Sequence, residues 1–152
     1  MTTNAATMHL QTVRVRNFKA IVDSRTLRFG PLTVFIGNNG SGKSSVIEAL
    51  ETYQAIVTDG LDVAMQRWRG IEHARHKGAE AAEGSRGRPS TMNFDLTIGA
   101  SARKSTRIKM EVSNDTAANR MSIAQESIEH ANGWIVEKSV VSANLNAPRI
   151  PS

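Results

Sequence analysis

Apolar positions change their spacing as the chain proceeds. From Leu10 to Arg16 they alternate, with Val13 and Val15 on one face and Thr12, Arg14 and Arg16 on the other. That spacing predicts a strand with one wet side. Asn17-Phe18-Lys19-Ala20 interrupts it, and a short strand is expected over 26–29 before a Gly30-Pro31 turn. Leu32-Thr33-Val34-Phe35-Ile36 is nearly all apolar, which is how a strand buried on both faces of a sheet reads. After Lys43 the period lengthens. Val46, Leu50, Tyr53 and Val57 recur at three- and four-residue steps, with Ile47 and Ile56 widening the stripe. An amphipathic helix is predicted from Lys43 to Thr58-Asp59-Gly60, where glycine suits a C-terminal cap.

A second helical stretch is expected from Leu61 to about Ala74, with Leu61, Met65, Trp68 and Ile71 on one side and Gly70 weakening it. Its Met and Trp read as core. The segment 77–90 is rich in Ala, Gly, Glu, Arg and Ser and predicts a flexible loop. Beyond it the period becomes two. Phe94, Leu96 and Ile98, then Ile108, Met110 and Val112, alternate with polar residues. A weaker strand over 121–128 slips phase near Ala124-Gln125. Asn132-Gly133 is a two-residue hairpin signal, and the return strand is expected over 134–141. The second half therefore reads as an antiparallel meander with one polar face, and 144–152 as a tail.

Between the apolar strand and the first helix stands Gly37-Asn38-Asn39-Gly40-Ser41-Gly42-Lys43-Ser44-Ser45. It fits G-x-x-x-x-G-K-[ST], the phosphate-binding P-loop, in the strand–loop–helix context that loop requires. The glycines let the backbone bend tightly and bring N–H groups against phosphate oxygens. The helix N-terminus adds unpaired N–H groups and partial positive charge. In this chemistry Lys43 reaches the β- and γ-phosphates and the Ser44 hydroxyl ligates Mg²⁺. ATP and Mg²⁺ are the expected ligands.

Composition narrows the setting. The chain has 152 residues, no cysteine and a net charge of +5, with an isoelectric point near 10.1. It is long enough to bury a core, and disulfides and thiolate metal sites are excluded. No apolar run is long enough to span a membrane, and the first ten residues lack the pattern of a secretory signal. A cytoplasmic location is expected. The basic balance is compatible with DNA as a partner and equally with a charged face that serves solubility.

Val-Arg-Asn-Phe-Lys at 15–19 and Leu-Arg-Phe-Gly-Pro-Leu-Thr-Val-Phe-Ile-Gly-Asn-Asn-Gly-Ser-Gly-Lys-Ser-Ser at 27–45 resemble the N-terminus of ABC-type ATPases of the SMC, RecF and OLD group. The resemblance is strong over about the first third of the chain. It implies an α/β P-loop NTPase of ABC-ATPase type. Residues 1–152 would form its N-terminal lobe, a mixed sheet around the P-loop helix with an antiparallel strand subdomain. It further implies an ATP-sandwich dimer, in which each P-loop meets a signature motif of the other subunit, and backbone near Asn17 and Phe18 close to the adenine. Read from the residues alone, Phe18 serves equally as a plug in the sheet. By the same resemblance Gln125 is a candidate for the glutamine that senses Mg²⁺, against an ordinary strand residue. The family's processes include double-strand break repair, chromosome maintenance and phage defence.

The family completes its site with an apolar strand ending in Asp-Glu and with a signature serine-glycine motif. Neither follows Lys43 in this chain. Glu48, Glu51 and Asp95 read as surface acids. His73 and His76 flank one helical turn beside Glu72 but lack further ligands for a metal. Arg67, Arg69, Arg75, Lys77, Arg86 and Arg88 form a basic stretch interspersed with Glu72, Glu80 and Glu83, more consistent with a solvated loop than with a nucleic-acid contact. The expected behaviour is weak nucleotide binding with little turnover by this chain alone. The rivals are a non-hydrolysing nucleotide-binding module completed by a partner chain, or another P-loop enzyme. A GTPase would carry an Asn-Lys-x-Asp motif, which the sequence lacks.

Overall fold

The computed structural model describes residues 7–77, 91–101, 103–115, 120–133 and 135–139. In chain order the elements are β1 (His9–Phe18), β2 (Ile21–Asp23), β3 (Leu27–Arg28), α1 (Lys43–Asp59), α2 (Leu61–Gln66), α3 (Ile71–Ala74), β4 (Met92–Ser101), β5 (Lys104–Asp115), β6 (Arg120–His130) and β7 (Ile135–Ser139). The strands form one sheet in the order β2-β1-β4-β5-β6-β7, with β3 also pairing β1.

Every ladder among the described residues is antiparallel. The mixed sheet expected from the sequence is therefore corrected. A parallel ladder would have to involve the apolar run before the P-loop, and that run forms no strand. Leu32, Val34 and Ile36 point to solvent at 85%, 69% and 91% exposure. Thr33 and Phe35 turn inward: the Gly30 N–H donates to Thr33 Oγ1 at 3.1 Å, and the Phe35 ring stands 6.1 Å from that of Phe29. The period of two is present, but no described strand lies alongside to take the backbone hydrogen bonds that an apolar strand needs.

The meander follows the alternation closely. Residues directly opposite on neighbouring strands share a face. Val15, Phe94 and Met110 are aligned across β1, β4 and β5, as are Val13 and Leu96 across β1 and β4. All are buried beneath the helices. The other face is polar. Arg14 grips Asp23 at 3.0 and 2.6 Å, Arg107 grips Asp95 at 3.0 and 3.1 Å, and Lys109 reaches Glu129 at 3.3 Å. The phase slip near Ala124 is a bulge. Glu111 faces Gln125 while Val112 faces Ile123, which leaves Ala124 unpaired. Gly133 closes the β6–β7 turn at φ 92. Within the expected return strand, Ile135–Ser139 pairs with β6, and positions 134, 140 and 141 lie outside the described residues, as do the tail and 78–90.

α1 ends at Gly60, as its sequence predicts. Its buried face is rotated from the expected stripe. Val46, Ala49, Thr52, Ala55 and Ile56 pack down, Leu50 and Tyr53 flank them, and Ile47 and Val57 stay exposed. Small residues at the contact let the helix lie close to the sheet, which moves the larger ones to its margins. The expected second helix is two. Arg69 and Gly70 adopt φ 59 and 108 and separate α2 from α3. Met65, Trp68 and Ile71 still face the core, with Trp68 donating through Nε1 to Thr52 Oγ1 at 2.8 Å.

Candidate phosphate-binding site

α1 starts without a cap. Gly42 precedes it in the left-handed conformation, at φ 87 and ψ 7, with no side-chain hydrogen bond to the first turn and no acid in that turn. A helix start normally satisfies its free N–H groups with a Ser, Thr, Asp or Asn side chain. Here they are left to whatever approaches from outside, and the helix dipole favours an anion. Gly40 has φ 82. These two left-handed positions explain why the loop needs glycine there. A Cβ on Gly42 would also come within 3.4 Å of Ile21 Cγ1, so the loop packs against β2.

Lys43 folds back over the loop. Its ammonium donates to the carbonyls of Gly37 and Asn38 at 2.6 Å each and to Ser41 Oγ at 3.3 Å. Three donors thus meet three loop acceptors, which fixes a positive charge at the loop mouth. The Ser41 N–H closes the turn onto the Asn38 carbonyl at 3.2 Å. Asn39 is exposed at its tip, and Ser44 is exposed in the first helical turn. Ser45 is buried against the core instead. The structure therefore brings Gly37, Asn38, Asn39, Gly40, Ser41, Gly42, Lys43 and Ser44 together around one opening, with Ser45 behind it.

A cleft of about 400 Å³ adjoins the loop. Ala20 to Ser24 form one wall, and Gly37, Ser41, Gly42 and Lys43 the other, with Leu27, Phe35, Ile36 and Val46 between. The wall carrying β2 escaped the sequence reading, because three residues are too few to show a period. Asp23 in that wall is held near pKa 2, below its ordinary value. Arg14's hydrogen bonds are the main cause and burial opposes them, while the Arg25 N–H and the positive charges of Arg14 and Arg25 act with the hydrogen bonds. The unfolded chain therefore takes up the proton first as pH falls. Stability from this pair is present above about pH 4 and is lost on the way down to about pH 2. Asp23→Asn should flatten that acid limb in urea unfolding midpoints measured across it. Parallel losses in wild type and variant would contradict the assignment.

Asn17 and Phe18 stand behind this wall. Asn17 donates through Nδ2 to the Thr91 carbonyl at 3.0 Å. The Phe18 side chain is fully buried, edge-on to Trp68 and Phe94 at 6.2 Å each. It plugs the core, and only the backbone that follows it reaches the cleft. Gln125 is elsewhere. Glu126 lies opposite Met110 on the helix face, where it adds to burial in raising the pKa of the Tyr53 hydroxyl. Gln125 lies opposite Glu111 on the other face and donates to Glu137 Oε1 at 2.9 Å. It is three ladders from β1, roughly 14 Å across the sheet at ordinary strand spacing. The structure does not bring it to Ser44.

Among the described residues no group of His, Asp or Glu could hold a metal ion. His76 uses Nδ1 on the Lys19 carbonyl at 2.6 Å. Of the basic stretch, Arg67 pairs with Asp59 at 3.2 Å, Arg75 is buried, and Arg69 and Lys77 are exposed. Positions 80, 83, 86 and 88 lie outside the described residues. Glu48 is ion-paired with Lys19 at 2.9 Å. No helix among the described residues is long and apolar enough to cross a membrane.

The part of the chain that builds this site also matches a known family. The AAA ATPase domain family matches residues 8–57. A protein of Methanocaldococcus jannaschii described as uncharacterised is 40% identical over 47 residues, 31% of this chain and 14% of that protein. The chromosome partition protein Smc of Mycolicibacterium paratuberculosis and that of Mycobacterium tuberculosis are each 46% identical over 44 residues, 28% of this chain and 4% of theirs. The matched segment thus spans a small part of each of these relatives. No solved structure matches the chain significantly. With the uncapped helix, the glycine loop and Lys43 in place, residues 8–57 are similar to the N-terminal part of an SMC/ABC-like AAA ATPase.

Proposed function

We propose that the chain binds Mg-ATP, with the triphosphate on the P-loop and the nucleoside in the adjoining cleft. The observation that carries this reading is the start of α1, where free N–H groups, Gly40, Gly42 and the Lys43 ammonium converge on one opening with no acid in the first helical turn and with Asp23 of the facing wall paired to Arg14. The cleft falls within the usual range for small-molecule sites. Ser44 suits Mg²⁺, which typically takes one or two protein oxygens together with phosphate oxygens and water. Bound there, the ion would supply charge neutralisation at the β- and γ-phosphates. The loop N–H groups would orient those phosphates, and Lys43 would exchange loop carbonyls for phosphate oxygens.

In the complete enzyme we propose hydrolysis of the β–γ bond, in a cytoplasmic ATP-sandwich dimer acting in DNA repair, chromosome maintenance or phage defence, with DNA as the associated partner. The chain lacks an apolar strand ending in Asp-Glu to place the attacking water. The open Leu32–Ile36 segment supports a second reading, in which a partner polypeptide pairs with this run and completes the site. Calorimetric titration with Mg-ATP and Mg-GTP, run beside a phosphate-release assay, tests both. ATP binding with negligible turnover is expected from the chain alone. Robust turnover abolished by Lys43→Ala would overturn the half-site account, and clear GTP preference would overturn ATP as the ligand.

A further inference from the structure

The turn joining β1 to β2 combines strain with unusually complete support. Asn17 and Lys19 are non-glycine residues at φ 54 and 46. Such conformations persist when the surroundings over-determine them, and they cluster at ligand clamps. A strap running from Ala74 to His76 supplies the restraint. The Lys19 N–H donates to the Ala74 carbonyl at 2.8 Å, and the His76 N–H donates to the Asn17 carbonyl at 3.1 Å. His76 Nδ1 contacts the Lys19 carbonyl at 2.6 Å. A carbonyl only accepts, so Nδ1 carries the proton. On the other side the Lys19 ammonium is 2.9 Å from Glu48 on α1 and 3.3 Å from the centre of the Trp68 ring.

Immediately after this turn, Ala20 and Ile21 enter the cleft wall, with Ile21 against Gly42. The P-loop touches this wall at Gly42 and is otherwise held by its own turn and by Lys43. We infer that His76 is a positioning residue for the nucleoside half of the site: through the Lys19 carbonyl it sets the cleft wall opposite the P-loop. This rests on the nucleotide reading above. It divides the site into a phosphate half that is held mainly by contacts other than those of His76 and a nucleoside half that depends on it.

The test compares Mg-ATP with magnesium tripolyphosphate, which has the phosphates and no nucleoside, on the full chain. His76→Ala and His76→Leu both remove the donor, and His76→Asn restores an N–H near the position of Nδ1. Loss of one part-buried hydrogen bond predicts ATP binding weaker by about tenfold in the Ala and Leu variants, with tripolyphosphate affinity unchanged and ATP affinity recovered in His76→Asn. Unchanged ATP affinity, or equal losses for both ligands, would overturn the inference. So would failure of both loss variants to fold, since His76 would then serve folding rather than the nucleoside. Wild-type chain that binds neither ligand would overturn the phosphate-site reading itself and the inference with it. Wild-type chain that binds tripolyphosphate as tightly as ATP would leave the phosphate site standing and overturn only the nucleoside half.

Discussion

Lys43→Ala should weaken Mg-ATP binding by about 30- to 150-fold, the equivalent of roughly 2–3 kcal/mol for charge-assisted contacts to phosphate. The ammonium is already at the loop mouth, 2.6 Å from two loop carbonyls. Binding therefore requires an exchange of acceptors and little movement of charge. The substitution removes the main fixed cation at an opening that otherwise offers backbone N–H groups. The fold should tolerate it, because the Lys43 contacts lie in the loop and touch nothing in the core cluster. Titration calorimetry paired with a thermal melt separates the effects. A large loss of affinity with an unchanged melting temperature is expected. Unchanged affinity would mean that phosphate binds elsewhere.

Phe18→Ala should be the most destabilising single change among the residues discussed. The ring is completely buried between Trp68 and Phe94, and truncating such a side chain costs about 3–5 kcal/mol through lost transfer energy and the cavity left behind. That is a large fraction of the roughly 5–15 kcal/mol that holds a domain folded. A fall of roughly 10 °C or more in melting temperature is expected for a chain of this length. The same experiment separates plug from base-stacking. A ring stacked on a nucleobase would lower ATP affinity on truncation with little change in melting, whereas the core plug described here lowers melting first.

The P-loop was legible because glycine, lysine and hydroxyl positions there are dictated by backbone conformation and phosphate chemistry, which leave little freedom in sequence. The meander was legible because one face of each strand is wet, so burial writes itself as alternation at Phe94, Leu96, Met110 and Val112. Even the bulge at Ala124 left its mark as a slip in that alternation. What the pattern could not show was pairing. Leu32–Ile36 has the composition of a doubly buried strand, yet burial on two faces requires neighbours, and composition does not say which chain supplies them. The β2 wall was missed for a different reason. Ile21–Asp23 is defined by its ladder to Arg16 and Phe18 and by the Arg14–Asp23 contact, all relations between residues distant from any local period. His76 was visible only as one of two histidines spaced for a metal, and its actual partner is a backbone carbonyl 57 positions away.

On this account nucleotide sits on the loop at the start of α1 and against the β2 wall. Amide-resolved NMR of the isotopically labelled chain, titrated with Mg-ATP, addresses it directly. Saturable shifts concentrated at Gly40, Gly42, Lys43 and Ser44, with a second set from Ala20 to Asp23, are the predicted result. Shifts confined to other surfaces, or a spectrum unmoved by Mg-ATP at millimolar concentration, would contradict it.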